Sequence, residues 1–479
     1  MYVNHYETQT LIQLFSQSVR NPSTFQPDDA LEYIINNEEV NHIVNSILIV
    51  GSYPWENDTT PKILYCSHEN PLNDVEISLA LDCFPKGKTE IYDVIIPKQE
   101  LNPHVIKEVK LNDLEFFAIS YLANDEAPYV FCYGYDASSF TFPSFAHNLT
   151  ASEIVSQYEN EILMMTKIFI CFLTKFPYND IFNEIVLWLL RSERIGRFFL
   201  HDYIIQITST QTISHVETDN DYPITQRNKM KEIITELCNK APPLPGQKLE
   251  IDLIPYPPLS WERPILDQSS FPIYTMASLI ETVRPPLFLA IFKTLCLEKS
   301  FVVYHSDITK VSNFIWALYF ALKPLQLNAK VITVLSTRYI DFIDSPVPMI
   351  FGTTFKLEDY NNIIFFDLER KEAKGIKNFG KFEMFDNLLP ILESKWSPEN
   401  AQLILKMLND VMQKIIERVK KSIITNRSDN NAHSMFEKNL FLGRFVHESR
   451  PFLNEMCNTP SFKLMVEQKC REKSESCNQ

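Results

Sequence analysis

The pattern of apolar and polar positions changes character along the chain. Residues 11–19 and 29–36 place apolar side chains at helical spacing. Short apolar runs follow. Ile47-Leu48-Ile49-Val50, stopped by Gly51, reads as a buried strand, and 62–66 as a second. Residues 116–122 and 129–135 read as two more strands, joined through the polar turn Asn124-Asp125-Glu126 into a hairpin, and the proline-marked stretch 97–112 reads as loop. From Thr150 the period turns helical. Thr150 with Glu153 three residues on forms a capping pair. Segments 152–175 and 179–190 hold so few polar positions that two buried helices are expected there. Residues 209–222 are polar and acidic and read as a linker.

Between 241 and 264 stand seven prolines, Pro242, Pro243, Pro245, Pro255, Pro257, Pro258 and Pro264. Proline fixes φ and removes a donor, so this stretch is expected to run extended as a strap. Within it, Pro242-Pro243-Leu244-Pro245 also has the composition of a ligand for a proline-binding domain. The clearest alternation comes next. A helix starts at Pro285-Pro286, where proline is tolerated, followed by a strand at 300–305. Ser306-Asp307 then cap a helix that closes at Pro324. Strands at 330–335, 347–351 (ended by Gly352) and 362–367 enclose a short helix at 337–343. Buried strands separated by helices point to an open, mostly parallel sheet. After Lys371 the chain turns helical. Ser397-Pro398-Glu399 opens a helix whose face carries Ile404, Leu408, Val411, Ile415 and Val419. Residues 425–433 read as a polar loop, 435–470 as two amphipathic segments, and the last ten as frayed. The fold class is α/β: an N-terminal α/β lobe, then a larger α/β lobe with a mostly parallel sheet and C-terminal helices. The corresponding divisions are 1–150, 151–371 (including the strap 241–264) and 372–479.

Composition narrows the function. The 479 residues carry 45 Lys and Arg against 60 Asp and Glu, a net charge of −15. That balance argues against a protein built to hold nucleic acid and against a polybasic membrane anchor. Peripheral membrane association is expected only through partners. Glycine is scarce, 9 in all, and each stands alone, so no phosphate-cradling loop or nucleophile elbow can be written. The nine cysteines lack any C-x-x-C and read as reduced core thiols of a cytoplasmic protein. No leader pattern and no membrane-length apolar run is legible.

Candidate chemistry is thin. No pair of the ten histidines stands at i, i+4, and none neighbours a cysteine at metal spacing, so neither a metal nor a cofactor is expected. His305-Ser306-Asp307 resembles a catalytic trio in miniature, but a strand end followed by a helix cap accounts for all three. Asp341 with Asp344 reads as a solvated helix edge. Asp367 with Glu369 ends a buried strand, the position where α/β sheets place ligands. No residue is assigned a catalytic role.

The stretch "LFLAIFKTLCLEKSFVVYHSDITKVSNFIWAL" (287–318), Pro324-Leu325, "IDSPVPMIFG" (343–352) and "IIFFDLER" (363–370) together resemble the central part of a DENN domain. Upstream, "ILIVG", "PKILYC", "FFAIS" and "YVFCYGYD" are similar to its longin-like part, and "FLNEMCNTPSFKLMVEQK" (452–469) to its downstream helices. Three departures mark a divergent member: no tryptophan stands soon after Pro324 (the run is Pro324-Leu325-Gln326-Leu327), Ser345 stands for alanine before Pro346, and Glu369 stands for aspartate. The resemblance implies a longin-like N-terminal lobe and guanine-nucleotide exchange on a Rab-type small GTPase, in the cytoplasm with recruitment to endomembranes. It implies docking at Ser345, Pro346, Val347, Pro348, Asp367 and Glu369. Two alternatives share the architecture: a GTPase-activating protein using Arg338 as an arginine finger, and a non-catalytic GTPase-binding scaffold.

Overall fold

The computed structural model describes residues 42–56, 58–67, 72–95, 109–122, 128–138, 141–150, 153, 162–209, 221–251, 258–264, 269–357, 363–375, 380–428 and 431–478. The helices expected at 11–19 and 29–36, the turn at 124–126, and most of the loop 97–112 and the linker 209–222 lie outside the described residues. Two compact units are present, one of residues in Met1–Ser120, Glu126–Phe271 and Ser336–Arg338, the other in Tyr121–Asp125, Pro272–Leu335 and Tyr339–Gln479. Position 150 falls inside the first unit.

The first unit is built on an antiparallel sheet. Its elements are β1 (Ser46–Gly51), β2 (Lys62–Cys66), α1 (Asp74–Leu81), β3 (Ile91–Ile95) and β4 (Glu115–Ile119); β5 (Tyr121–Leu122) belongs to the second unit, and β6 (Tyr129–Ser138) and β7 (Ile162–Thr174) complete the sheet. The order is β2-β1-β7-β6-β4, with β3 also on β7. The 13-residue β7 is the spine. One of its edges takes β1, from Ser46↔Leu173 to Gly51↔Ile168, and then β3, from Ile91↔Thr166 to Ile95↔Ile162. A buried hydroxyl cluster marks the junction: Ser52 Oγ lies 2.6 Å from Thr89 Oγ1 and 3.4 Å from Thr166 Oγ1.

β7 corrects the helix expected over 152–175. A continuous apolar run carries no period, and the β-branched and aromatic side chains of Ile168-Phe169-Ile170 and Phe172 favour a strand buried between neighbours on both sides. The hairpin of β4 and β6 is present, from Glu115↔Gly134 to Ile119↔Val130. The strand expected over 116–122 is divided, however, because Tyr121 and Leu122 leave this sheet. Two helices follow. α2 (Asn179–Ser209) is far longer than the 179–190 expected, and α3 (Asp221–Cys238) buries Met230, Ile233, Ile234 and Leu237. Part of the proline strap pairs as a ribbon, β8 (Lys248–Ile251) with β9 (Leu259–Glu262).

The second unit contains α4 (Phe271–Thr282), α5 (Pro285–Cys296), β10 (Phe301–Tyr304), α6 (Ile308–Ala321), β11 (Lys330–Ile332), the part from Tyr339 of a 3₁₀ segment Thr337–Asp344 whose first two residues belong to the first unit, β12 (Met349–Thr353), β13 (Ile364–Asp367) and β14 (Glu372–Lys374). Its sheet has the order β14-β13-β10-β12-β11-β5. The four inner strands are parallel, and the edge strands β14 and β5 run antiparallel. The mostly parallel sheet read from the alternation is therefore present. Gly352 lies inside β12 rather than ending it. A Cβ there would come within 2.3 Å of the Thr333 carbonyl and 2.4 Å of Val311 on α6, so only glycine lets helix and strand approach this closely.

Helices close the chain: α7 (Glu383–Lys395), α8 (Ala401–Lys420), α9 (Lys438–Gly443), α10 (Arg450–Met456) and α11 (Pro460–Asn478). Between α8 and α9 lies a hairpin, β15 (Ile423–Ser428) with β16 (Asn431–Phe436), where a polar loop was expected over 425–433. α11 continues through the residues expected to fray. All five face positions read from the α8 sequence are buried. Side chains from this region cap earlier helices. Trp396 Nε1 donates to the carbonyls of Ile280 and Val283, and Asn409 Nδ2 to those of Phe320, Ala321 and Lys323. These carbonyls lie at helix C-termini, where the intrahelical ladder runs out. No described helix is long and apolar enough to cross a membrane.

Candidate functional site

The parallel strands of the second unit end level with one another. Tyr304, the last residue of β10, stands opposite Thr353 of β12 and Asp367 of β13. Beyond Tyr304 the chain leaves through His305 and Ser306 into α6 and returns as β11 on one side, whereas β13 lies on the other. A crevice at the carboxyl ends of β10 and β13 is the general ligand position of such sheets.

Here the crevice is laced by its own side chains. The Ser306 amide donates to Glu369 Oε1 at 2.8 Å, and His305 Nδ1 accepts from the Asp307 amide at 2.9 Å. Asp307 is the N-cap of α6 and accepts from the amides of Thr309 and Lys310. The buried Asp367 accepts from the Arg370 amide at 2.9 Å, and Lys356 Nζ lies 5.8 Å from the centre of the Tyr304 ring. Hydrogen bonds from Ser306 hold the Glu369 carboxyl below the usual range. Burial, helped by Lys310, holds His305 below its usual value against the pull of Asp307, Glu369 and Asp367. Burial beside Glu369 and Asp367 raises the Tyr304 phenol. His305, Ser306 and Asp307 are thus the strand end and helix cap that the sequence suggested.

Ser345, Pro346, Val347 and Pro348 occupy the opposite end of the same sheet. The Pro348 carbonyl accepts from the Lys330 amide at 3.2 Å, and the Met349 amide donates to Ser300 Oγ at 3.1 Å, so the loop sits where the strands begin. Pro346 is exposed and Val347 is 49% exposed. The run from Met349 to Thr353 separates the two ends by about 13 Å, four strand steps. The six docking candidates therefore form two groups. Asp367 and Glu369 meet at the carboxyl ends, and Ser345 to Pro348 form a separate loop.

Arg338 stands in the first unit. Its Nη2 lies 2.7 Å from Oδ1 of the fully buried Asp82, which follows α1, and 3.3 Å from the Ser78 carbonyl. Its guanidinium is already engaged with the buried carboxylate of Asp82. Sequence reading missed this pair, and it missed Glu298 in the second unit. The buried Glu298 carboxylate accepts from the amides of Ala329 (3.1 Å) and Ser461 (3.0 Å) and from the Ser461 hydroxyl. Each partner is remote in sequence, so no local signal exists. Among the described residues no group of three or more His, Cys, Asp or Glu is arranged to hold a metal.

The model of the DENN (AEX-3) domain family matches residues 165–371. The match runs from within β7 to just beyond β13 and takes in both ends of the parallel sheet. The chain contains a DENN domain. No curated protein sequence matches it.

Proposed function

We propose that this protein is a guanine-nucleotide exchange factor for a Rab-type small GTPase. The DENN domain match carries the reading, since DENN domains are generally associated with Rab GTPases. An exchange factor needs no covalent chemistry. It binds the nucleotide-free GTPase more tightly than the nucleotide-bound form, and by linkage lowers the GTPase's hold on GDP by the same factor. Two exposed residues, Pro346 and Val347, in a loop pinned to the sheet at Pro348 and Met349, suit such docking: the loop is rigid and partly apolar. We place Ser345, Pro346, Val347 and Pro348 at the contact, with Asp367 and Glu369 as a second, separate contact. Residues 1–150 are proposed to be the longin-like lobe, and the protein to act in the cytoplasm on membranes reached through its partner. The ion pair of Arg338 with Asp82 favours exchange over GTPase activation, because a finger must leave its pair to reach a phosphate.

The test is release of fluorescent GDP from a panel of purified Rab GTPases. Acceleration of one or two members is expected. No acceleration across the panel, with binding confined to GTP-loaded members, would replace exchange by a scaffold role.

A further inference from the structure

Pro242-Pro243-Leu244-Pro245 keeps part of its surface open to solvent. Each residue that precedes a proline is held extended, which here fixes Ala241, Pro242 and Leu244, and the three prolines fix their own φ. These restraints favour the polyproline II conformation for the segment. That helix has three residues per turn, so Ala241-Pro242 and Leu244-Pro245 fall on one side, one turn apart. The protein holds the other side. Arg263, itself buried, donates through Nη1 to the Pro243 carbonyl at 2.8 Å. Its Nη2 donates to Tyr178 Oη at 2.9 Å, and the guanidinium lies 5.2 Å from the Tyr178 ring centre. A tight turn then ends the segment: the Gln247 amide donates to the Leu244 carbonyl at 2.8 Å, and Gly246 takes φ +78°. This suits Pro245-Gly246 at the centre of a type II turn. The Gly246 amide donates to the Arg263 carbonyl and the Arg263 amide to that of Gln247, which ties the turn to the β8–β9 ribbon.

The outcome is a short extended proline segment clamped from behind at Pro243. Pro242 and Pro243 are half-buried, Ala241 and Pro245 are exposed, and Leu244 is 60% exposed although nothing in its composition favours water. A packed strap would turn Leu244 inward. Modules of the SH3 and WW type read such helices through aromatic-lined grooves that take successive residue–proline pairs. Ala241-Pro242 and Leu244-Pro245 supply two such pairs at the required spacing.

We infer that Ala241 to Pro245 is a preorganised docking site for a protein module with a polyproline-binding aromatic groove. Clamping removes most of the ordering cost that a free proline-rich peptide pays on binding. This site lies wholly within the first unit and is independent of the GTPase reading.

The experiment titrates the full-length protein into isotope-labelled, purified SH3 and WW modules and follows their resonances. At least one module is expected to bind, with shifts confined to its aromatic groove. Leu244→Asp, on a side chain that carries little of the core, and the double variant Pro242→Ala/Pro245→Ala are each expected to weaken that binding at least tenfold. A synthetic peptide of residues 239–247 is expected to bind the same groove several-fold more weakly than the intact protein. Absence of binding across the panel, shifts outside the groove, or affinity unchanged by Leu244→Asp would overturn the proposal. A peptide as tight as the intact protein would overturn the role given to Arg263.

Discussion

Two residues carry local consequences that their neighbours in sequence do not announce. Glu298 has φ +47°, a conformation that costs about 1 kcal/mol or more in a non-glycine residue, and yet it is buried. Its carboxylate repays this by accepting three hydrogen bonds, from Ala329 and twice from Ser461. Glu298→Ala leaves those donors empty and is expected to lower stability in urea denaturation by about 3 kcal/mol. A loss under about 1 kcal/mol would contradict the role. His305 gives a dependence on pH. Nδ1 accepts a hydrogen bond from the Asp307 amide and can do so only while that nitrogen is unprotonated. Its folded pKa lies below the unfolded value of 6.5, so below that pH the unfolded chain binds the proton first. The stability His305 contributes is thus full above about pH 6.5 and declines as acid takes the histidine through its folded pKa. The thermal midpoint should fall between pH 7 and 5, and less so in His305→Asn, whose side-chain carbonyl accepts without titrating. An equal fall in both proteins would remove His305 from the account.

Among the elements, the sequence was most legible where apolar runs alternate with capped helices. The strands β10, β11, β12 and β13 lie within three residues of the bounds that patterning put on them, and two local signals stand where they should, Pro348 before β12 and the Asp307 cap of α6. β7 was misread for a physical reason. A strand buried from both sides has no polar face, and its run of apolar residues looks like a buried helix. α3, by contrast, was legible in principle: Met230, Ile233, Ile234 and Leu237 follow helical spacing. The β15–β16 hairpin was hidden by polar residues such as Thr425, Asn426 and Ser434, which a two-stranded ribbon tolerates. Gly352 shows how one atom decides an element. Gly352→Ala drives a methyl group against the Thr333 carbonyl and Val311, neither of which is the free end of a flexible chain. Overpacking of this kind should cost about 1–3 kcal/mol. The check is the denaturation midpoint of the variant, and a midpoint equal to wild type would mean that α6 can shift away from β12.

At the scale of the molecule, the candidate site was only partly legible. The sequence marked the loop Ser345–Pro348 and the pair Asp367 and Glu369, but the parallel register that parts them becomes visible only in the folded sheet. The competing roles of the protein then separate on two substitutions. Val347→Asp places a charge on a side chain that is 49% exposed, so the fold should be untouched. If the loop docks a nucleotide-free GTPase, the rate of GDP release at limiting exchange factor should drop at least tenfold with an unchanged thermal midpoint. An undiminished rate would move docking away from this loop. Arg338→Ala acts differently. It removes the guanidinium that pairs with the fully buried Asp82 carboxylate, and with Arg338 itself about a third exposed the cost should be about 2 kcal/mol. On the exchange reading wild type does not accelerate GTP hydrolysis, and Arg338→Ala shows lower stability while the folded fraction keeps its exchange rate. On the activation reading wild type accelerates hydrolysis and Arg338→Ala abolishes this. Hydrolysis assays beside GDP-release assays on the same preparations decide between them, since a loss of stability alone lowers the amount of active protein and leaves the activity of each folded molecule as it was.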